Sequence, residues 1–231
     1  MKSVSPQECK EVCLRANLNL SRLAKEEYTR RGVTESQIEE FKLGSAFSKK
    51  LFRESDPDTH DMLVLPLTNV VGDIRGFQVR AIVRSVGGYV DYFVDRKEPV
   101  LFGLGQAAPH MYRKGEVCLA EGAFDVLPIQ TLYPSIIGTL TAHVSPQTIR
   151  LLSRLVSKIW VAYDNDSAGE DGLKRIRKQY GEDFEVASLK LPKGVKDPGT
   201  LIEKQGPKGV ESYAQPMLLG AFAFSQMKME I

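Results

Sequence analysis

From Glu116 onward the chain alternates short apolar runs with helical stretches, joined by short links. "VCLA", "SIIG", "KIWVAY" and "FEVASLKL" read as strands. "AFDVLPIQTLY", "SPQTIRLLSRL" and "SAGEDGLKRIRKQY" read as helices, and "DPGTLIEKQG" begins another. Two parallel strands cannot be joined by a tight turn and need a crossover, usually a helix. The alternation therefore predicts a mostly parallel sheet with helices on both faces. In such a sheet, ligands bind beyond the carboxyl ends of the strands, so the residues at those ends are the ones to inspect.

They are acidic. The first strand ends in Glu121, Gly122 permits a sharp turn, and Asp125 falls in the first turn of the next helix. The run Ile159–Tyr163 stops at Asp164-Asn165-Asp166, and Asp197 follows the strand "FEVASLKL". Carboxylates that close repel one another unless a positive group sits among them, and no Arg or Lys cluster matches these five. A hard divalent cation would resolve the conflict. An all-oxygen donor set without His or Cys suits Mg²⁺ or Mn²⁺. A second reading makes Asp164 and Asp166 a turn and a helix cap, with Ser167 and Glu170 as a capping box. An EF-hand is excluded, although Asp164–Gly169 begins like one. Ala168 stands where an oxygen ligand belongs, and Arg175 where the bidentate Glu belongs.

The part before Glu116 has a different texture. Residues 1 to about 55 read helical. "NLSRLAKEEYTRRGV" stops at Gly32, and "TESQIEEFKLG" opens with a Thr34–Gln37 capping box and ends at Gly44. "ESDPDTHD" reads as a turn-rich acidic linker. Residues 62 to about 114 read as β-rich, with "MLVLPL", the turn "NVVGD", "IRGFQVRAIV" and "GGYVDYFV". The expected division is an α+β subdomain over 1–114, a mostly parallel α/β domain over 115–205 and a C-terminal helical segment over 206–231. The fold class is mixed α/β.

Hydrophobic residues at 42%, charged residues at 26% and a formal net charge of +2 fit a soluble globular chain and do not announce a nucleic-acid binder. The charge is uneven: Arg75, Arg80, Arg84, Arg96, Lys97, Arg113 and Lys114 give the middle a mild basic bias. That bias reads either as a solvated face or as a phosphate-binding groove. Three sparse cysteines, Cys9, Cys13 and Cys118, argue against a disulfide scaffold, and zinc spacing is absent. No apolar run approaches a membrane span, and the N-terminus lacks a signal-peptide core. A cytoplasmic location is expected. "GLGQAA" fits a dinucleotide fingerprint but follows no clean core strand. The chain has no Gly-Lys pair, so a P-loop is excluded, and no G-x-S-x-G elbow.

The order Glu121-Gly122-x-x-Asp125, Gly138-Thr139-Leu140-Thr141, Asp164-x-Asp166-x-Ala168-Gly169, Asp197-Pro198 resembles the TOPRIM domain of primases, topoisomerases and some nucleases. Further stretches resemble the catalytic core of bacterial DnaG-type primases. These are "EYTRRGVTESQIEEFKLG", "LVLPLTNVVGDIRGFQVRAI", "LFGLGQA" and "GPKGVESYAQPMLLGAFAF", so the resemblance runs over about residues 20–225. It implies an RNA-primer-synthesising enzyme acting on single-stranded DNA with NTPs. Glu121, Asp125, Asp164, Asp166 and Asp197 would hold Mg²⁺ or Mn²⁺, with Glu121, Asp164 and Asp166 at the catalytic centre. Arg31, Arg80 and Arg84 would meet nucleotide phosphate or template backbone. A TOPRIM nuclease and a non-catalytic primase homologue that binds single-stranded DNA or a replication partner are the alternatives.

The chain departs from the family pattern in places. Asp91 stands where the family has a lysine, and Gly199 replaces the last acid of D-P-D. The linker before Asp197 is about one residue longer than the family's. No stretch matches the family's zinc ribbon or helicase-binding domain. Template capture and helicase docking are therefore expected to come from a separate zinc-ribbon protein or a replicative helicase.

Overall fold

The computed structural model describes residues 2–3, 5–46, 61–82, 89–93 and 98–227, with side chains for 5–46, 61–82 and 98–219. The expected acidic linker at 54–61 falls almost wholly outside the described residues, as does Arg84. The chain forms two compact units, 1–105 and 106–231.

The first unit is a five-stranded sheet backed by helices. Its elements are β1 (Lys2–Ser3), α1 (Pro6–Leu18), α2 (Arg22–Arg30), α3 (Glu35–Glu40), β2 (Gly44–Ala46), β3 (Met62–Thr68), β4 (Ile74–Ala81) and β5 (Tyr89–Phe93). The strand order is β1-β5-β4-β3-β2, antiparallel except for the β1–β5 pair. Ser5 and Glu8 form a capping box that starts α1. The helix then buries Cys9, Val12, Cys13 and Ala16 in one cluster with Met62, Val64, Phe77 and Val79 from β3 and β4. The buried Tyr28 hydroxyl lies 3.0 Å from the Gly44 carbonyl and 3.3 Å from that of Val64, so it ties α2 to β2 and β3.

Two expectations for this region are corrected. Gly44 does not end a helix. Its α-carbon presses on α1 so closely that a β-carbon there would lie 2.5 Å from the Ala16 carbonyl carbon, and it begins β2. The β-rich reading also runs too far, because Leu104–Lys114 is a helix, α4. It buries Leu104, Ala107, Ala108 and Met111 and ends at Gly115, whose φ of +71° closes it with an N–H to the Met111 carbonyl. The Thr34–Gln37 capping box of α3 and the turn at Asn69–Asp73 form as expected.

The second unit carries the predicted alternation. β6 (Glu116–Ala120), α5 (Ala123–Gln130), β7 (Ile136–Gly138), α6 (Pro146–Leu152), β8 (Lys158–Ala162), α7 (Ser167–Tyr180) and β9 (Glu185–Ser188) follow one another. All strand pairs are parallel, in the order β7-β6-β8-β9. β6 is buried at every position, which explains its unbroken apolar run. α8 (Pro198–Met227) is broken at Gly206, which has φ 64° and ψ −165° and precedes Pro207. At the amino-terminal edge of the sheet, the indole N–H of Trp160 donates to buried Glu116 at 2.8 Å. Lys158 lies over the same indole and pairs with Glu185 at 2.7 Å. Among the described residues, no helix is long and apolar enough to cross a membrane.

Candidate metal centre

Register builds the site. Ala120 of β6 pairs with Gly138 of β7 and Ala162 of β8. The next residues out, Glu121, Thr139 and Tyr163-Asp164, therefore emerge at one edge of the sheet. The exits are fixed by backbone contacts. The Asp164 N–H donates to Glu121 Oε1 at 3.1 Å, and the Asn165 N–H donates to the Lys196 carbonyl at 2.7 Å. The Thr139 hydroxyl lies within hydrogen-bonding distance of the Ala120 and Thr141 carbonyls, and Leu140 takes a positive φ of 68° in the loop between them. Gly169 allows the first turn of α7 to lie against the Asp164 backbone. A β-carbon at position 169 would sit 2.1 Å from the Asp164 carbonyl oxygen.

The five predicted acids divide into two kinds by what holds them. Asp125 is used by the backbone at both oxygens: Oδ2 accepts from Gly122 N–H at 2.9 Å, and Oδ1 from Gly199 N–H at 3.1 Å. It thereby starts α5 and fastens the beginning of α8 to it. Asp166 caps α7 by accepting the Ala168 and Gly169 N–H groups at Oδ1, both at 3.0 Å. The cap is thus Asp166, and the expected Ser167–Glu170 capping box does not form, since Ser167 is already the first helical residue. Asp197 Oδ1 accepts from Thr200 N–H. These bonds leave Glu121 Oε2, Asp164 Oδ1, Asp166 Oδ2 and Asp197 Oδ2 for a ligand.

The electrostatics match that division. Burial raises Asp125 to about 7, and the charges of Asp164 and Asp197 add to the shift. Burial raises Glu121, with Asp164 and then Asp166 contributing. Burial also raises Asp164, followed by repulsion from Asp197 and Asp166, while Lys196 opposes the shift. Lys196 lies 3.5 Å from Asp164 Oδ2 and is itself raised, chiefly by Asp164. The sequence reading missed this lysine. Its signal was its place directly before Asp197 in "PKGVKDP".

A divalent cation fits this edge in its chemistry. The donors are all oxygens, the carboxylates repel one another, and each of the four candidates keeps one oxygen out of internal hydrogen bonds. Among the described residues no three of these side chains close on a single point, so a bound ion would draw them together and keep water in its shell. A cleft of about 270 Å³, lined by Val161, Tyr163, Asp164, Leu173, Leu189 and Leu191, opens beside Asp164. Near Asp125 the backbone is packed closely: a β-carbon at Gly199 would lie 2.9 Å from the Phe124 carbonyl oxygen.

The expected phosphate contacts, Arg31 and Arg80, belong to the first unit. Arg31 is 8% exposed, and its Nε lies 2.7 Å from Glu27 Oε1. Arg80 is partly exposed on β4. Asp91 lies on β5, paired with Gln78 of β4.

Comparison with known proteins bears on the same residues. Residues 118–202 match the Toprim-like family model. The chain is 28% identical over 222 residues to the DNA primase of Aquifex aeolicus, covering 83% of this chain and 44% of that protein. It is 24% identical over 210 residues to the DNA primase of Rickettsia prowazekii, covering 77% and 35%. It therefore spans less than half the length of these relatives. Among solved structures, the zinc-binding and RNA polymerase domains of the Aquifex aeolicus primase superpose with a TM-score of 0.75 at 24% identity, over 92% of this chain and 62% of that one. A DnaG catalytic core gives 0.75 at 20% identity, over 91% and 79%. A DnaG catalytic domain bound to single-stranded DNA gives 0.72 at 20%, over 98% and 83%.

Proposed function

We propose that this chain, a DnaG-type primase catalytic core by fold and by its Toprim-like domain, makes short RNA primers on single-stranded DNA by Mg²⁺- or Mn²⁺-dependent nucleotidyl transfer. The observation that carries the reading is the set of carboxylates delivered by three strand exits to one edge of the parallel sheet. Glu121, Asp164, Asp166 and Asp197 are the proposed holders of the metal. Asp125 orients them, because its own oxygens already accept from Gly122 and Gly199. A divalent cation held there would supply positive charge for the attacking 3′-hydroxyl oxygen and the departing pyrophosphate. The protein supplies position and charge and needs no nucleophile of its own.

Arg80 and Arg84 are the proposed contacts for nucleotide phosphate or template backbone. Arg31 would first have to exchange Glu27 for a phosphate. Single-stranded DNA and NTPs are the proposed substrates, with a replicative helicase or a zinc-ribbon protein as partner. The proposed setting is the cytoplasm.

The test incubates purified protein with single-stranded DNA, labelled NTPs and Mg²⁺ or Mn²⁺, beside the double variant Asp164→Ala, Asp166→Ala. Template-dependent oligonucleotides from the wild type alone are expected. Metal-dependent cutting of the DNA without synthesis would replace this reading with a nuclease.

A further inference from the structure

The acidic edge carries its own cation. Lys196 leaves a backbone fixed at three neighbouring points. Its carbonyl accepts the Asn165 N–H at 2.7 Å. Val195 beside it is buried, and the Gly194 carbonyl accepts from Lys204 Nζ at 2.9 Å. Its side chain is 64% exposed, and its ammonium lies 3.5 Å from Asp164 Oδ2. A β-carbon at position 199 would lie 2.9 Å from the Phe124 carbonyl oxygen, so a further acid there would require the backbone to shift. The linker thus places a positive charge beside Asp164.

We propose that Lys196 is a tethered counter-ion of this site, held at Asp164 until a divalent cation displaces it and then free to bind phosphate oxygens of the nucleotide. The inference rests on the metal reading above. A doubly charged ion outcompetes the ammonium for Asp164, because the lysine end of the pair is 64% exposed and screened by solvent while the Asp164 side chain, 16% exposed, stays at the acidic edge. The lysine has a flexible stem and three donors, so once released it can follow a phosphate group as a point charge. One residue thereby opposes metal entry and favours retention of the metal-bound phosphate.

Those two effects have opposite signs, which a merely structural lysine would not produce. Mn²⁺ affinity is measured by electron paramagnetic resonance on the full chain, its Lys196→Gln variant and its Lys196→Arg variant. Binding of preformed Mn–pyrophosphate complex to the Mn²⁺-loaded proteins is measured by calorimetry. Lys196→Gln is expected to bind Mn²⁺ about two- to fivefold more tightly, the worth of an ion pair whose cation is screened by solvent. It is expected to bind the pyrophosphate complex more weakly by a similar factor, with Lys196→Arg near wild type in both. Unchanged affinities, or a shift of both in one direction, would overturn the proposal while leaving the metal reading standing. A wild type that binds no Mn²⁺ would remove the metal reading itself.

Discussion

Replacing Gly169 with alanine tests the packing on which the acidic edge depends. The added carbon would lie 2.1 Å from the Asp164 carbonyl oxygen, 3.0 Å from its carbon and 3.1 Å from its nitrogen. Backbone cannot swing aside as a side-chain tip can, so the start of α7 would have to retreat by about 1 Å, an overpacking that costs about 1–3 kcal/mol. The retreat also stretches the two 3.0 Å bonds by which Asp166 caps α7. Losing a cap adds about 1 kcal/mol. Together the variant should lose about 2–4 kcal/mol, or a fall in Tm of roughly 5–15 °C for a unit of this size. Thermal unfolding by circular dichroism measures that loss. Mn²⁺ titration should show weaker binding in parallel, since Asp164 and Asp166 would no longer keep their spacing. A Tm within about 2 °C of wild type, with unchanged Mn²⁺ affinity, would show that the close approach of α7 to Asp164 does not organise the site.

Three further outcomes follow from the same geometry. Asp125, raised to about 7 from an ordinary 3.8, keeps a proton in the folded chain that the unfolded chain has released. Its contribution is therefore fully present below pH 3.8 and is lost as pH rises to about 7, so Tm in chelator should fall over that interval and Asp125→Asn should flatten the slope. Tyr28→Phe removes the buried hydroxyl that bonds the carbonyls of Gly44 and Val64, and chemical denaturation should show a loss of about 1 kcal/mol. Gly199→Asp, which restores the family's acid, should lower Tm without tightening Mn²⁺ binding, because the new β-carbon would meet the Phe124 carbonyl.

The second unit was legible because its signals are local and coincide. A strand buried on both faces must be apolar throughout, and "VCLA" and "IWVA" are. An acid directly after such a run therefore marks a strand exit. Asp166 is the helix cap that the second reading offered, and only the Ser167–Glu170 box did not form. Ser167 and Glu170 make a plausible box, but Asp166 already accepts two N–H groups at the start of α7, and that competition is settled only by the backbone angle at the exit. α4 was missed because Pro109 and the neighbouring glycines masked a face of Leu104, Ala107, Ala108 and Met111. Gly44 misled for a related reason. A glycine after a helical stretch signals a stop, whereas here it marks the crossing of β2 over α1, a long-range contact with no local trace. Lys196 was visible in the sequence. That it reaches the acids is shown by the bond from Asn165 to its carbonyl and by its ammonium beside Asp164.

The placement of Trp160 decides what can be watched in this molecule by its own light. It is the only tryptophan in the chain, and it stands at the middle of β8, opposite Cys118, with its indole reaching Glu116 at the amino-terminal end of β6. Asp164 lies four residues further on, about 13 Å along an extended strand. Intrinsic emission is therefore a gauge of the sheet's lower rim, sensitive to whether β6 and β8 remain paired. A flat signal during a metal titration would say nothing against binding. A changing one would mean that the strand itself had shifted, carrying news from one rim of the sheet to the other.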